Sequence, residues 1–201
     1  MTEAMKILKS DPRFRPLIQT HGRPDLERGK NPFQALVRAI IYQQISGKTA
    51  SAILVRFIDL FGGKKFPTAK EVCAIRTQKL RRAGLSPQKA MYIKDLAKKF
   101  LDGTVRHRSF RRMTNDEIIS HLVQVKGIGV WTAHMFLIFT LQRPDVLPTG
   151  DLGIQKGFQS VYKLQKLPDH KKMEELARPW RAHASAASWY LWRAADGMKT
   201  R

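Results

Sequence analysis

The spacing of the apolar residues constrains this chain more than any other feature. Phe33, Leu36, Val37, Ile40 and Ile41 fall at i, i+3, i+4, i+7 and i+8, the spacing that lines one face of an α-helix. Asn31-Pro32 just ahead supplies a capping side chain and a proline at the first helical position. Ser46-Gly47 interrupts that helix, and Ala50, Ile53, Leu54, Phe57, Ile58 and Phe61 form the next stripe, stopped by Gly62-Gly63. Thr68 to Glu71 and Thr114 to Glu117 read as capping boxes. Gly84 ends a short basic helix, and Ser86-Pro87 opens another that runs to Asp102-Gly103. A helix after Gly129 carries Trp131, Met135, Phe136 and Phe139, the chain restarts near Asp151, and two more helices fill roughly 170 to 196. Alternating strand patterns are scarce, so the predicted class is all-α.

Charge narrows the partner. Among 201 residues, 37 Lys and Arg face 16 Asp and Glu, a net charge of +21, while 43% of the chain is hydrophobic. A disordered basic tail lacks that apolar content. A compact domain with this charge is biased toward a polyanion, most commonly nucleic acid. An anionic membrane is the rival, but no long apolar run exists and MTEAMKILKSD lacks a signal-peptide core. The expectation is an intracellular, soluble protein with no membrane partner. A single cysteine, Cys73, rules out an intramolecular disulfide and a Cys-based metal centre. No two of the six histidines stand at the i,i+4 spacing of a helical metal site. No catalytic metal or cofactor is expected.

Val125-Lys126-Gly127-Ile128-Gly129 joins two helical segments through a turn whose glycines tolerate positive φ and leave the backbone uncovered. Amides exposed there, at the start of a helix, suit a phosphate oxygen. Such a clamp at Lys126, Gly127, Ile128 and Gly129 positions a duplex without reading its sequence. The same turn also serves as a plain helix-helix connection. Asp151 lies 22 positions beyond Gly129, where an aspartate also caps the helix that follows it.

The run LVQVKGIGVWTAHMFLIFTLQRPDVLPTGDLGIQKG (122 to 157), with FQALVRAIIYQQIS (33 to 46) upstream and WRAHASAASWYLWR (180 to 193) downstream, closely resembles the helix-hairpin-helix superfamily of DNA glycosylases, in particular its 3-methyladenine branch. The resemblance implies two helical lobes in one 1 to 201 unit: a central lobe, 31 to 144, carrying the hairpin 125 to 129, and a second lobe of 1 to 30 plus 145 to 201. It also implies an active-site cleft between the lobes. Asp151 in PTGD matches the family's catalytic aspartate, which stabilises positive charge on the deoxyribose as the N-glycosidic bond breaks. A preorganised carboxylate in a water-poor site contributes on the order of 3 kcal/mol to such a cationic transition state.

Other roles carry over in the same way. Gln44 aligns with the residue that fills the gap left by the flipped nucleotide. Trp192 matches a pocket tryptophan, and Trp131, Met135, Leu152 and Trp189 are further candidates to line the base pocket, although each residue type packs equally well in a core. Trp131 stands where lyase-competent branches carry a lysine, which implies a monofunctional enzyme. A monovalent cation under such hairpins would rest on the carbonyls of Val123, Val125 and Ile128. The tail departs from the family's WRPYRS pattern: Trp180-Arg181-Ala182-His183-Ala184-Ser185 lacks the second arginine and the proline. The implied activity is excision of alkylated purines from duplex DNA by a monomer. The alternatives are a glycosylase for deaminated or oxidised bases, or a non-enzymatic DNA-binding module.

Overall fold

The computed structural model describes residues 3–26, 29 and 31–197. Among these residues no strand occurs, and the helices run α1 (Glu3–Ser10), α2 (Arg15–His21), α3 (Pro32–Tyr42), α4 (Gly47–Asp59), α5 (Ala69–Ala74), α6 (Thr77–Arg82), α7 (Pro87–Leu101), α8 (Asn115–Leu122), α9 (Val130–Phe139), α10 (Leu152–Val161), α11 (His170–Ala177) and α12 (Ala184–Asp196). Two 3-10 segments, His107–Arg112 and Arg178–His183, complete them. The all-α expectation holds. Among the described residues no helix is long and apolar enough to cross a membrane.

Capping chemistry sets most of the boundaries. The side chains of Asn31, Ser46 and Ser86 accept from the amides of Gln34, Thr49 and Lys89, and both Thr-Glu capping boxes are formed. Each satisfies an amide that the first helical turn leaves without a partner. Helices α1 and α2 and the segment His107–Arg112 fall outside the helices read from periodicity. They are short, and six to eight residues display too few turns for a stripe to emerge.

Two compact units form, one within Gly29–Phe136 and the other within Met1–Arg28 and Leu137–Arg201, so the change of unit falls inside α9. The first has a core of Leu36, Val37, Ile40, Phe57, Ile93 and Leu96, all fully buried. Helix α7 is its polar spine as well. Lys89 Nζ donates to the carbonyls of Ile41 and Gln43 at the end of α3, both 2.7 Å. Lys94 Nζ donates to Val72, Cys73 and Ile75 at the end of α5, and Lys99 donates to the carbonyl of Gln124 after α8. Helix C-termini leave carbonyls unpaired and carry partial negative charge, which these ammonium groups meet.

The second unit is built on the crossing of α10 and α12. A Cβ placed on Gly157 would lie 2.3 Å from the carbonyl oxygen of Leu191, so backbone meets backbone there and only glycine fits. Helix α12 matches this with small buried residues, Ala184, Ser185, Ala187 and Ser188. Around the crossing, Phe14 packs edge-on to Trp180 and Tyr190, while Phe158 stacks on Trp180 and Tyr162. Burial pushes the Tyr162 hydroxyl up to about 12, so it stays a neutral partner of Trp180 Nε1 at 3.2 Å. Gly157→Ala is expected to destabilise the protein by about 1–3 kcal/mol through overpacking, read as a lower denaturation midpoint, with Gly150→Ala, where a Cβ meets nothing, as the control.

Candidate functional site

The hairpin between α8 and α9 is held from inside its own unit. Gly127 has φ +82°, and a Cβ there would sit 2.1 Å from the Tyr92 ring, so glycine is required twice over. Its carbonyl accepts from Gln43 Nε2 at 2.8 Å. The Lys126 amide donates to Asp95 Oδ2 at 2.8 Å, and Lys99 Nζ meets the same oxygen at 2.8 Å. Partial burial alone would raise the Asp95 carboxyl, but its bonds to Lys99 and to the Lys126 amide hold it below the usual carboxylate range.

These ties correct the picture of successive exposed amides. The Lys126 amide is taken by Asp95 and the Ile128 amide by the Val125 carbonyl at 3.0 Å. The Ile128 side chain is buried, as is that of Val125, so Ile128 anchors the turn. Gly129 does not have positive φ, and nothing lies within 4 Å of where its Cβ would be. Its value is open space at the first turn of α9, where helical amides point outward. The Lys126 side chain is exposed beside it.

On the same unit, a groove of about 850 Å³ is lined by Gln44, Lys89, Tyr92, Gly127, Trp131 and Met135 among others. Gln44 is exposed on the connection between α3 and α4 and adopts φ +55°, a left-handed backbone that non-glycine residues rarely take. Trp131 is 51% exposed on the first turn of α9, with Met135 one helical turn beyond.

In the other unit, Asp151 caps α10. Its Oδ1 accepts from the Ile154 amide at 2.9 Å and from Trp192 Nε1 at 2.9 Å, so a helix N-terminus and an indole orient one carboxylate. A Cβ on Gly153 would lie 2.9 Å from both Asp151 Oδ1 and Trp192 Cδ1, so glycine leaves the indole room to reach the acid. Trp192 also stacks on Phe139, with ring centroids 5.9 Å apart. Leu152, next to Asp151, is 54% exposed, but Trp189 is 9% exposed and belongs to the core of its unit. There it sits edge-on to His21 and under Arg193.

Sequence reasoning missed the residues that hold the irregular segment leading into Asp151. Ser185 Oγ donates to the Arg143 carbonyl at 2.6 Å and accepts from the Val146 amide at 3.1 Å, and the Ser185 amide donates to the Pro144 carbonyl at 2.9 Å. Arg181 reaches the Asp145 carbonyl and pairs with Glu174 at 3.0 Å. His170 Nδ1 bonds the Thr149 hydroxyl at 2.7 Å. The altered tail therefore still supports this segment, through Arg181 and Ser185. Long-range bonds of this kind leave no periodic signal in sequence.

The described residues thus define an all-helical protein with a helix-hairpin-helix turn in one unit and a carboxylate on a helix cap in the other. The chain belongs to the HhH-GPD superfamily of base excision DNA repair proteins, whose family model matches residues 37–182. It is 37% identical over 168 residues to DNA-3-methyladenine glycosylase 1 of Schizosaccharomyces pombe, covering 82% of this chain and 72% of the relative. Among solved structures, a DNA-3-methyladenine glycosidase from Bacillus halodurans superposes with a TM-score of 0.89 at 34% identity, covering all of this chain and 92% of that one. The S. pombe 3-methyladenine DNA glycosylase Mag1 in complex with abasic DNA gives 0.81 at 34% identity, covering 96% of both.

The Asp95 tie has a definite pH signature. A carboxyl held low in the folded state contributes stability above its unfolded value, about 3.9, and that contribution is lost as pH falls through the lower folded value. Unfolding free energy measured from about pH 6 downward is expected to fall more steeply for wild type than for Asp95→Asn, with the difference confined to pH below about 5.

Proposed function

We propose that this chain flips alkylated purines, of the 3-methyladenine and 7-methylguanine class, out of duplex DNA and hydrolyses their N-glycosidic bonds, starting base excision repair. The observation that carries the reading is Asp151, oriented by the Ile154 amide and Trp192 Nε1. The names of three similar proteins, 3-methyladenine glycosylases or glycosidases at 34–37% identity, support that lesion class.

The chemistry asks little of the protein beyond that carboxylate. As the bond from C1′ to the base breaks, its electron pair leaves with the base and neutralises the ring's positive charge. The sugar becomes cationic, the Asp151 carboxylate stabilises it, and a water oxygen bonds to C1′ while one of its protons passes to solvent. An alkylated base that is already cationic leaves without a general acid. Orientation by Trp192 means the carboxylate does not have to reorganise when the charge appears.

Binding is divided among the remaining residues. The first turn of α9 with Gly127 and Gly129, aided by the Lys126 side chain, holds a phosphate, and Ile128 keeps the turn in shape. Gln44 fills the gap left by the flipped nucleotide. Trp131, Met135, Leu152 and Trp192 are the residues that would offer flat or apolar surface to a base, and a cationic purine gains cation-π attraction from indoles. With tryptophan at 131 no Schiff base forms there, so the product is an intact abasic strand. A monovalent cation on the carbonyls of Val123, Val125 and Ile128 fits a turn whose Val125 carbonyl already accepts one amide, since a carbonyl has two lone pairs. The protein acts as a monomer on duplex DNA, without a cofactor.

Asp151→Asn is expected to lower base release from methylated DNA by about 10²–10³-fold at equal folded concentration, and wild type to yield strand breaks only after heat or alkali. Near-normal release by Asp151→Asn would overturn the mechanism. Release from substrates carrying deaminated or oxidised bases is expected to be far slower than from 7-methylguanine. Duplex affinity is expected to fall steeply with salt, by a factor on the order of 10³ between 50 and 200 mM if about six phosphates are neutralised, and a flat response would count against DNA as the partner.

A further inference from the structure

We propose that Lys89 and Gln43 are positioning residues for strand penetration, locking the connection that carries Gln44 onto the phosphate-holding hairpin. The proposal rests on the reading of Gln44 as the gap-filling residue. Gln44 stands at φ +55°, a conformation that costs about 1–3 kcal/mol for a non-glycine residue and persists only when its surroundings enforce it. Two enforcers are in place. Lys89 Nζ donates to the carbonyls of Ile41 and Gln43, both at 2.7 Å, which fixes the backbone on the N-terminal side of Gln44. Gln43 Nε2 donates to the Gly127 carbonyl at 2.8 Å, 84 residues away in sequence. Ser46, capping α4 through the Thr49 amide, fixes the far side.

The arrangement makes two functional pieces one body. The Gln43 side chain ties the connection to the Gly127 carbonyl, and Tyr92 occupies the space a Cβ on Gly127 would need. Gln43, Gln44, Lys89, Tyr92 and Gly127 all line the same groove. Burial lowers the Lys89 ammonium from its ordinary value, consistent with a group facing carbonyls rather than water. A lysine that only capped α3 would affect stability. A lysine that presents Gln44 also affects how far the target base is driven out of the stack.

The test is a double-mutant cycle on duplexes that carry 7-methylguanine, with 2-aminopurine beside the lesion reporting unstacking. Lys89→Met and Gln43→Met are each expected to slow single-turnover base release by about tenfold and to reduce the 2-aminopurine signal, as Gln44→Ala does, while affinity for undamaged duplex changes less than about twofold. Gln44→Ala combined with Lys89→Met should be no slower than Gln44→Ala alone, because groups acting through one another are not additive. Multiplicative losses, or wild-type rates and signal in both Lys89→Met and Gln43→Met, would overturn the inference while leaving Gln44 its role. Wild-type behaviour of Gln44→Ala would sink the gap-filling reading and the inference together. Should Lys89→Met fail to fold, Gln43→Met decides the question, since its side chain caps no helix.

Discussion

The close crossing of α10 and α12 underlies the candidate chemistry. Gly157 lets the backbone of α10 touch that of α12 at Leu191, and one turn earlier Gly153 leaves room for Trp192 to lean over the start of α10. The indole N–H can then reach the aspartate that caps the helix. Were the helices farther apart by the width of a side chain, Asp151 would still cap α10 but would lose its second donor. The N-terminal end of α12 serves the same carboxylate differently, since Ser185 and the preceding Arg181 hold the segment 143–146 that delivers the chain to Pro148 and Asp151. One helix thus supplies both the orienting group and the support.

The other unit solves a related problem with charge. A chain of net charge +21 invites the view that its lysines face DNA, yet Lys89, Lys94 and Lys99 are turned inward onto helix-end carbonyls and Asp95. Spaced five residues apart on α7, they point in different directions and tie α3, α5 and the hairpin to one helix. Asp95 completes the scheme by holding the Lys126 amide. The hairpin is therefore preformed, with its Lys126 and Ile128 amides already bonded within the unit. Preorganisation of this sort spares a binding site the cost of ordering at the moment of contact.

Much of the fold was legible because helices announce themselves locally. The stripe from Phe33 to Ile41, the two capping boxes and the Ser-Pro start of α7 each involve residues within a turn or two, so their geometry follows from their spacing. Asp151 as a helix cap was readable for the same reason. Trp189 was not separable from Trp192, because the two stand three residues apart on one helix and only the packing around α12 sends one into the core and the other to Asp151. Nor could the glycines be told apart. Gly127 needs its positive φ and its missing Cβ, whereas Gly129 needs neither and leaves space.

The sequence by itself determined an all-helical, strongly basic protein with a glycine turn, a capping aspartate and a tryptophan in place of a lysine, since each is a matter of local propensity, charge or residue identity. Tertiary structure alone decided which hairpin amides remain available, that Gln43 and Lys89 hold the connection bearing Gln44, and that Trp192 rather than Trp189 meets Asp151. Those outcomes depend on bonds spanning 31 to 84 residues. Hydrogen-bond partners so distant are chosen by how helices pack, and no spacing along the chain encodes that choice.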